Sequence, residues 1–354
     1  MRFITFFFIA LPIFIVVVPY VINIITQYPG QATHTSGVVL VTGASSGIGL
    51  SAAVALQKQG YTVIGGVRKE RDAQTLQKKY KLRSIILDVT KEVEIASAKQ
   101  QLEQICAETN LKFVGLINNA GVSRDLPVEL QPKKAIRFVY GVNIFGLMDV
   151  TRELLPLLRS SNGRVINIGS VAGLTAMAGG STYHGTKHAV EAISDCLRRE
   201  LYPHGVSVAL VEPAYVESKI FGKQIGTNDP TSHLTKDEYQ LYHHVFANKK
   251  AHMEKVLKTA SPTATSTDVA IVHAMTSPYP KTRYVVANVL GIPANVVIPL
   301  LAQLPDRVAD VMFYYSTQKG YGGLIPLFVF GYLVYITLLL YTWKFVKYVD
   351  SRLF

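Results

Sequence analysis

The sequence predicts an α/β protein: a doubly wound parallel sheet of about seven strands in a single domain, with a hydrophobic helix at each end of the chain. Three observations predict it. Short β-rich runs alternate with stretches of helical character through the middle of the chain. Those runs are continuously apolar, as strands covered on both faces are. Residues suited to chemistry follow the runs, at the strand ends where ligands of such sheets bind.

The elements follow in order. From Phe3 to Ile25 the chain has 23 residues without a charge. At about 1.5 Å per residue, a helix of that length crosses a hydrocarbon core. The run is longer than a secretory signal core and no small-x-small cleavage site follows it, so residues 1–27 are expected to be a retained transmembrane anchor. The strand runs are GVVLVTG at 37–43, YTVIGGV at 61–67, RSIILDV at 83–89, KFVGLIN at 112–118, GRVINIGS at 163–170 and VSVALVEP at 206–213. Strands alternating with helices imply a parallel sheet. RYVVAN at 283–288 would close its edge, which bounds the domain at 36–290. Within it, residues 215–266 are polar and rich in Tyr and His, and are expected to form a helical lid over the site. Residues 291–320 read as an amphipathic extension. Leu324–Trp343 is a second uncharged run of 20, bordered by Trp343 and Lys344 as an interfacial aromatic and a snorkelling cation would be. A second transmembrane helix over 324–343 is expected there.

With 354 residues, 49% of them apolar, the chain can bury one large core. The 36 Lys and Arg against 24 Asp and Glu suit an anionic membrane surface or a phosphate-bearing cofactor. No long basic block or nucleic-acid module is present, so no nucleic-acid partner is expected. Cys106 and Cys196, the only cysteines, fall in expected helices and read as small buried hydrophobes. No HExxH or related ligand pattern occurs, and no metal is expected. Arg2 precedes the first apolar run while Lys344, Lys347 and Arg352 follow the second, a bias that puts both termini in the cytosol.

After the first strand comes TGASSGIG, 42–49, whose Gly43, Gly47 and Gly49 allow a tight turn and let a pyrophosphate approach the backbone at a helix N-terminus. Ser45, Ser46 and Ile48 complete that loop. After the second strand the chain reads GGVRKE. A carboxylate there would bind an adenosine ribose, but Val67 holds the position and Arg68 follows. Arg68, helped by Ser45 or Ser46, suits a 2′-phosphate, so NADP(H) is expected ahead of NAD(H), with Glu70 as the residue that could still reach a ribose. In STYHGTKHA, 181–189, Tyr183 stands four residues before Lys187. Tyr215 with Lys219 and Tyr315 with Lys319 share that spacing, which by itself decides nothing.

Taken together, TGASSGIG, LDVT at 87–90, NNAG at 118–121, Asn143 in GVNIFG, Ser170 and Tyr183-x-x-x-Lys187 resemble the ordered motif set of the short-chain dehydrogenase/reductase family. The resemblance covers about residues 36–290 and implies its Rossmann-type fold. Ser170 precedes Tyr183 by 13 residues, the family's spacing, whereas Tyr202 and Ala302 precede the other two tyrosines by that interval. The resemblance makes Asn143, Ser170, Tyr183 and Lys187 the catalytic residues. Tyr183 would exchange a proton with the substrate, Ser170 would hold its oxygen, Lys187 would bind the nicotinamide ribose, and Asn143 would hold a water beside Lys187. It also puts Asp88 and Val89 at the adenine ring and Asn118, Ala120 and Gly121 in support of the central sheet and the cofactor. Pro213 contacts the cofactor in this resemblance, but EPAYVES replaces the family's Pro-Gly and threonine with Ala214 and Ser218.

A phenol that works near neutral pH needs its pKa lowered from about 10 to about 7, roughly 4 kcal/mol. One ammonium about 5 Å away supplies on the order of 3 kcal/mol. Lys187 is therefore expected to do most of the shift. The function implied is a membrane-bound, NADP(H)-dependent enzyme interconverting a lipophilic alcohol and its ketone or aldehyde. VVIPLLAQLPDRVADVMF, 296–313, is similar to the tail of the family's steroid and retinol dehydrogenases. The expected partners are a lipophilic small molecule, the lipid bilayer and, as an option, a second copy of the chain; the expected location is the endoplasmic reticulum membrane, on a side the few charges leave open. The competing class is a membrane-tethered NADP(H)-binding sensor without turnover.

Overall fold

The strand β1 (Val38–Thr42) is buried along its whole length, and that is possible because its apolar residues serve both faces. Val39 and Val41 point to one side of the sheet, Val38 and Leu40 to the other. The computed structural model describes residues 30–216, 231–247, 258–289 and 291–310. The chain divides into two units, Gly30–Gln303 and Met1–Pro29 with Leu304–Phe354. The sheet belongs to the first. The transmembrane helices expected at 1–27 and 324–343 lie outside the described residues, among which no helix is long and apolar enough to cross a membrane.

The chain then alternates as the sequence predicts. After α1 (Gly47–Lys58) and β2 (Thr62–Val67) come α2 (Glu70–Thr75), β3 (Arg83–Ile86), α3 (Glu92–Thr109) and β4 (Phe113–Asn118). α4 (Lys133–Tyr140) runs through a π-helical turn, Gly141–Gly146, into α5 (Leu147–Ser161), and β5 (Arg164–Ile168), α6 (Ser181–Leu201) and β6 (Ser207–Pro213) follow. α7 (Lys236–Leu241), α8 (Thr267–Thr276) and β7 (Arg283–Val286) complete the sheet's elements. The strand order is β3-β2-β1-β4-β5-β6-β7, and every pairing is parallel. The order reverses between β1 and β4, which opens a crevice at their carboxyl ends.

Helices cover both faces. α1 and α8 lie over Val39, Val41, Ile117 and Ile166, while α3 and α5 lie over Leu40, Leu116 and Val165. Each fully buried Leu, Ile or Val contributes about 1.5–3 kcal/mol. Arg164, only 1% exposed, donates to Ala274 O at 2.6 Å and to Ala32 O at 2.7 Å, fastening the segment before β1 across the far end of the sheet.

Three sequence readings need adjustment. β3 stops at Ile86 rather than 89, because Asp88 leaves the ladder to form a turn, its Oδ1 accepting from Thr90 N and Thr90 Oγ1. RYVVAN is broken at Ala287, whose φ of 68° no strand tolerates. Asn288–Val289 (β8) then pairs antiparallel with Ile292–Pro293 (β9) ahead of α9 (Ala294–Leu301). Finally, Cys106 is half-buried and Cys196 exposed on α6, opposite the face that packs, so neither is the buried hydrophobe expected.

Candidate active site

Beyond the carboxyl ends of β1, β2, β4, β5 and β6 opens a cleft of about 320 Å³. Its first wall is the turn from β1 into α1. Gly43 and Gly47 there have φ of 67° and 58°, which glycine adopts without strain. A Cβ on Gly43 would lie 2.9 Å from Ala120 Cα, and one on Gly49 would lie 2.3 Å from Asn119 Nδ2. The N-cap of α1, Ser46, offers no side-chain hydrogen bond to the helix. The first N–H groups of α1 are thus left for an anion, and Ser45, Ser46, Gly47 and Ile48 line the cleft around them. A dinucleotide pyrophosphate fits this cradle.

The second wall is the end of β2. Val67, Arg68 and Lys69 line the cleft, and Arg68 and Lys69 are exposed. Glu70 is absent from the lining and Asp72 takes its place, 3.7 Å from Arg71 Nε. Asp88 and Val89 line the cleft as expected. Asp88 N donates to Glu94 Oε2 at 2.6 Å, and Glu94, held below the usual carboxylate range by its hydrogen bond to Lys91, fixes this turn.

In NNAG the two asparagines divide the work. Asn118 does not line the cleft: buried in β4, it donates to Thr151 Oγ1 at 2.8 Å and to Asn167 Oδ1 at 2.9 Å, tying β4 to α5 and β5. Its neighbour Asn119, which the motif reading missed, lines the cleft and donates to Thr42 O at 2.9 Å and Gly43 O at 3.2 Å. Thr42 Oγ1 accepts in return from the N–H groups of Asn119 and Ala120, both at 3.0 Å. Ala120 and Gly121 face the cleft.

The fourth element is α6. Its 21 residues put Tyr183 and Lys187 on one face, opposite the end of β5 and Ser170. Ser170 and Tyr183 both line the cleft. Ser170 Oγ donates to Pro213 O at 3.4 Å and accepts from Ala172 N at 3.1 Å. Lys187 Nζ lies 5.7 Å from the Tyr183 ring centre and donates to Ile168 O at 2.7 Å. Asn143 sits in the π-helical turn, 3% exposed and outside the cleft lining. It clamps Val122 by its N–H and C=O, both at 2.9 Å, and donates to Thr186 Oγ1 at 3.0 Å between Tyr183 and Lys187. Tyr215, half-buried just after β6, does not line the cleft; Lys219, Tyr315, Lys319 and Ser218 lie outside the described residues.

The electrostatics depart from the sequence expectation. Among the protein's own groups, burial pushes Tyr183 up to about 12, against the lowering effect of Ser170. Burial also pulls Lys187 down to about 8, with Glu191 opposing. Desolvation penalises both charged forms, and the ammonium spends a hydrogen bond on Ile168 O rather than on the phenol. Lys187 alone does not bring the phenol to neutrality.

Comparison with known proteins agrees with this geometry. The family model described as short chain dehydrogenase matches residues 37–228, more than half of the chain. The chain belongs to the short-chain dehydrogenase family. "Retinol dehydrogenase 16" of Rattus norvegicus is 35% identical over 295 residues, spanning 79% of this chain and 89% of that relative. "NADPH-dependent 3-dehydrocapnine reductase" of Ornithobacterium rhinotracheale is 33% identical over 288 residues, spanning 79% and 97%. Among solved structures, a short-chain dehydrogenase from Streptomyces avermitilis superposes with a TM-score of 0.62 at 27% identity, covering 82% of this chain and 99% of that one. In this short-chain dehydrogenase the cleft lies at the strand ends of the seven-stranded sheet, where the motifs converge.

Proposed function

We propose that this short-chain dehydrogenase is a membrane-bound, NADP(H)-dependent oxidoreductase that interconverts a lipophilic alcohol and its ketone or aldehyde, with Tyr183 exchanging the proton. The observation that carries the reading is the meeting of Ser170, Tyr183 and Lys187 in one cleft with the capless N-terminus of α1. The names of the relatives, an NADPH-dependent reductase and a retinol dehydrogenase, support it.

When bound, the nicotinamide supplies or accepts the hydride. The chain's own residues do the rest. The turn over Gly43–Gly47 and the N-terminus of α1 bind the pyrophosphate, and Arg68 and Lys69 pair with the 2′-phosphate. Lys187 binds the nicotinamide ribose beside the reacting groups. Ser170 Oγ and Tyr183 OH both hold the substrate oxygen, and Tyr183 delivers its proton there. A protonated phenol is the form that donates a proton in carbonyl reduction, and burial keeps Tyr183 in that form at neutral pH. Oxidation of the alcohol asks more of the site, because the phenolate then needs the positive charge of Lys187 and of the oxidised ring together.

Of the lid expected at 215–266, residues 217–230 and 248–257 lie outside the described residues. Tyr242 OH donates to Glu129 Oε2 at 2.6 Å, holding part of the stretch against the loop after β4. The apolar runs at 1–27 and 324–343 anchor the enzyme in the bilayer, which is the reservoir of a lipophilic substrate. The test is the full chain with NADPH or NADH and a panel of retinoid, steroid and long-chain ketones and aldehydes, with products identified by mass spectrometry. Turnover with NADPH is expected; NADPH binding without turnover across the panel would make the protein a sensor.

A further inference from the structure

Two carboxyl groups meet inside the protein behind the cleft. Glu212, the residue before Pro213 in β6, is wholly buried, and its side chain lies with that of Glu191, one turn beyond Lys187 on α6, around Gly169. Neither oxygen of Glu212 receives a hydrogen bond from a nitrogen or hydroxyl donor among the described residues. Two buried carboxylates side by side without donors repel and are poorly solvated, and a proton on one of them removes the repulsion and supplies the missing donor. Gly169 and Gly173, on either side of the Ser170 turn, make room for the pair. A Cβ on Gly173 would lie 2.8 Å from Glu191 Oε1, and one on Gly169 3.4 Å from both Glu191 Oε1 and Glu212 Cγ.

The surroundings do not neutralise two charges there. Arg283 of β7 donates Nε to Glu191 Oε2 at 3.2 Å and reaches Asp195 Oδ2 at 3.0 Å, while Arg198 holds Asp195 Oδ1 at 2.8 Å. Lys187, Asp195 and Arg198 are the charged groups of α6 near the pair, and Arg283 is that of β7. The turn Val171–Gly173 and α9 carry no titratable residue.

We propose that Glu191 and Glu212 share one proton, and that this acid pair is a positioning unit for Lys187, keeping a single negative charge one helical turn from its ammonium. The pair thereby holds Lys187 protonated through the neutral range. Burial and the neighbouring Glu191 push Glu212 up to about 8, and burial pulls Lys187 down to about 8 while Glu191 pushes it back. The shared proton and the lysine's own are thus released over the same range. The inference deepens the reading of Lys187 as a working residue and rests on it.

The test uses the full chain and no substrate. Infrared difference titration of the wild type should show the carbonyl band of a protonated carboxylic acid at pH 7, lost on going to pH 10. Competitive acetylation with acetic anhydride, mapped to Lys187 by peptide mass spectrometry, reads the lysine's charge. Glu191→Gln should keep the band, because burial by itself keeps Glu212 protonated, and move the Lys187 midpoint down by about one pH unit. Glu212→Gln should abolish the band and move the midpoint up, because Glu191 is then fully ionised. A wild type without the band, or variants that move Lys187 in the same direction, overturns the proposal. The wild-type titration stands even where a variant does not fold. Failure of the enzymatic reading would instead appear as no turnover in the lipid panel with the band and both shifts intact.

Discussion

Replacing Glu212 by Gln should make the protein more stable at alkaline pH, and the size of the gain follows from the buried acid pair. The group's ordinary pKa is 4.5, and burial with Glu191 raises it to about 8 in the folded chain. A folded value above the unfolded one means that the folded state binds more protons between these limits. Its stabilising share is complete below pH 4.5 and is lost as pH rises through about 8. The difference, at about 1.36 kcal/mol per unit, sets a ceiling of about 5 kcal/mol on the alkaline penalty. Movement of Arg283 toward the second charge lowers that ceiling, and we expect about 2 kcal/mol. For a domain of this size about 2–4 °C follow each kcal/mol, so Glu212→Gln should melt about 4–8 °C above the wild type at pH 8.5. At pH 5 the two should melt together. Thermal unfolding of the full chain in a mild non-ionic detergent, followed by circular dichroism at both pH values, is the assay. A variant that melts below the wild type by the same interval at both would show that Glu212 is not a protonated acid in the folded protein.

Three other outcomes are expected. Tyr183→Phe should lower turnover by about 10²–10⁴, the usual contribution of a general acid, while NADPH binding measured by fluorescence stays within twofold. Arg68→Ala should raise the KM for NADPH by about tenfold or more and leave that for NADH unchanged, since hydrogen bonds to a charged phosphate contribute about 1.5–3 kcal/mol. Gly49→Ala puts a Cβ 2.3 Å from Asn119 Nδ2 and 2.6 Å from Gly43 O. It should cost about 1–3 kcal/mol in thermal unfolding and weaken NADPH binding by displacing the Gly43 turn.

Several features of the site could be read from the sequence because they are local. The glycines of TGASSGIG must turn the chain, and Tyr183 and Lys187 share a helix face by spacing alone. The glycine turn and the α6 pair indeed line one cleft. Asn118 and Asn119 were not separable in this way, because which of two adjacent asparagines leaves the strand depends on where β4 ends. The same holds for Glu70 and Asp72, whose places at the cleft depend on how α2 leaves β2. Glu212 gave a faint signal, an acid at the end of an otherwise apolar strand run, but nothing in the chain near it names Glu191 or Arg283 as its neighbours.

By itself, the sequence determined the alternation of strands and helices, since a strand covered on both faces must be apolar throughout. It also determined which candidate groups share one helix or one turn, because that spacing is fixed by covalent geometry. Only the tertiary structure decided the order β3-β2-β1-β4-β5-β6-β7, which brings β1 beside β4 and so makes the crevice. It alone decided the electrostatics as well. Burial pushes Tyr183 up and Lys187 down, against the lowering of Tyr183 expected from an isolated pair, because desolvation depends on everything packed around a group and not on its neighbours in the chain.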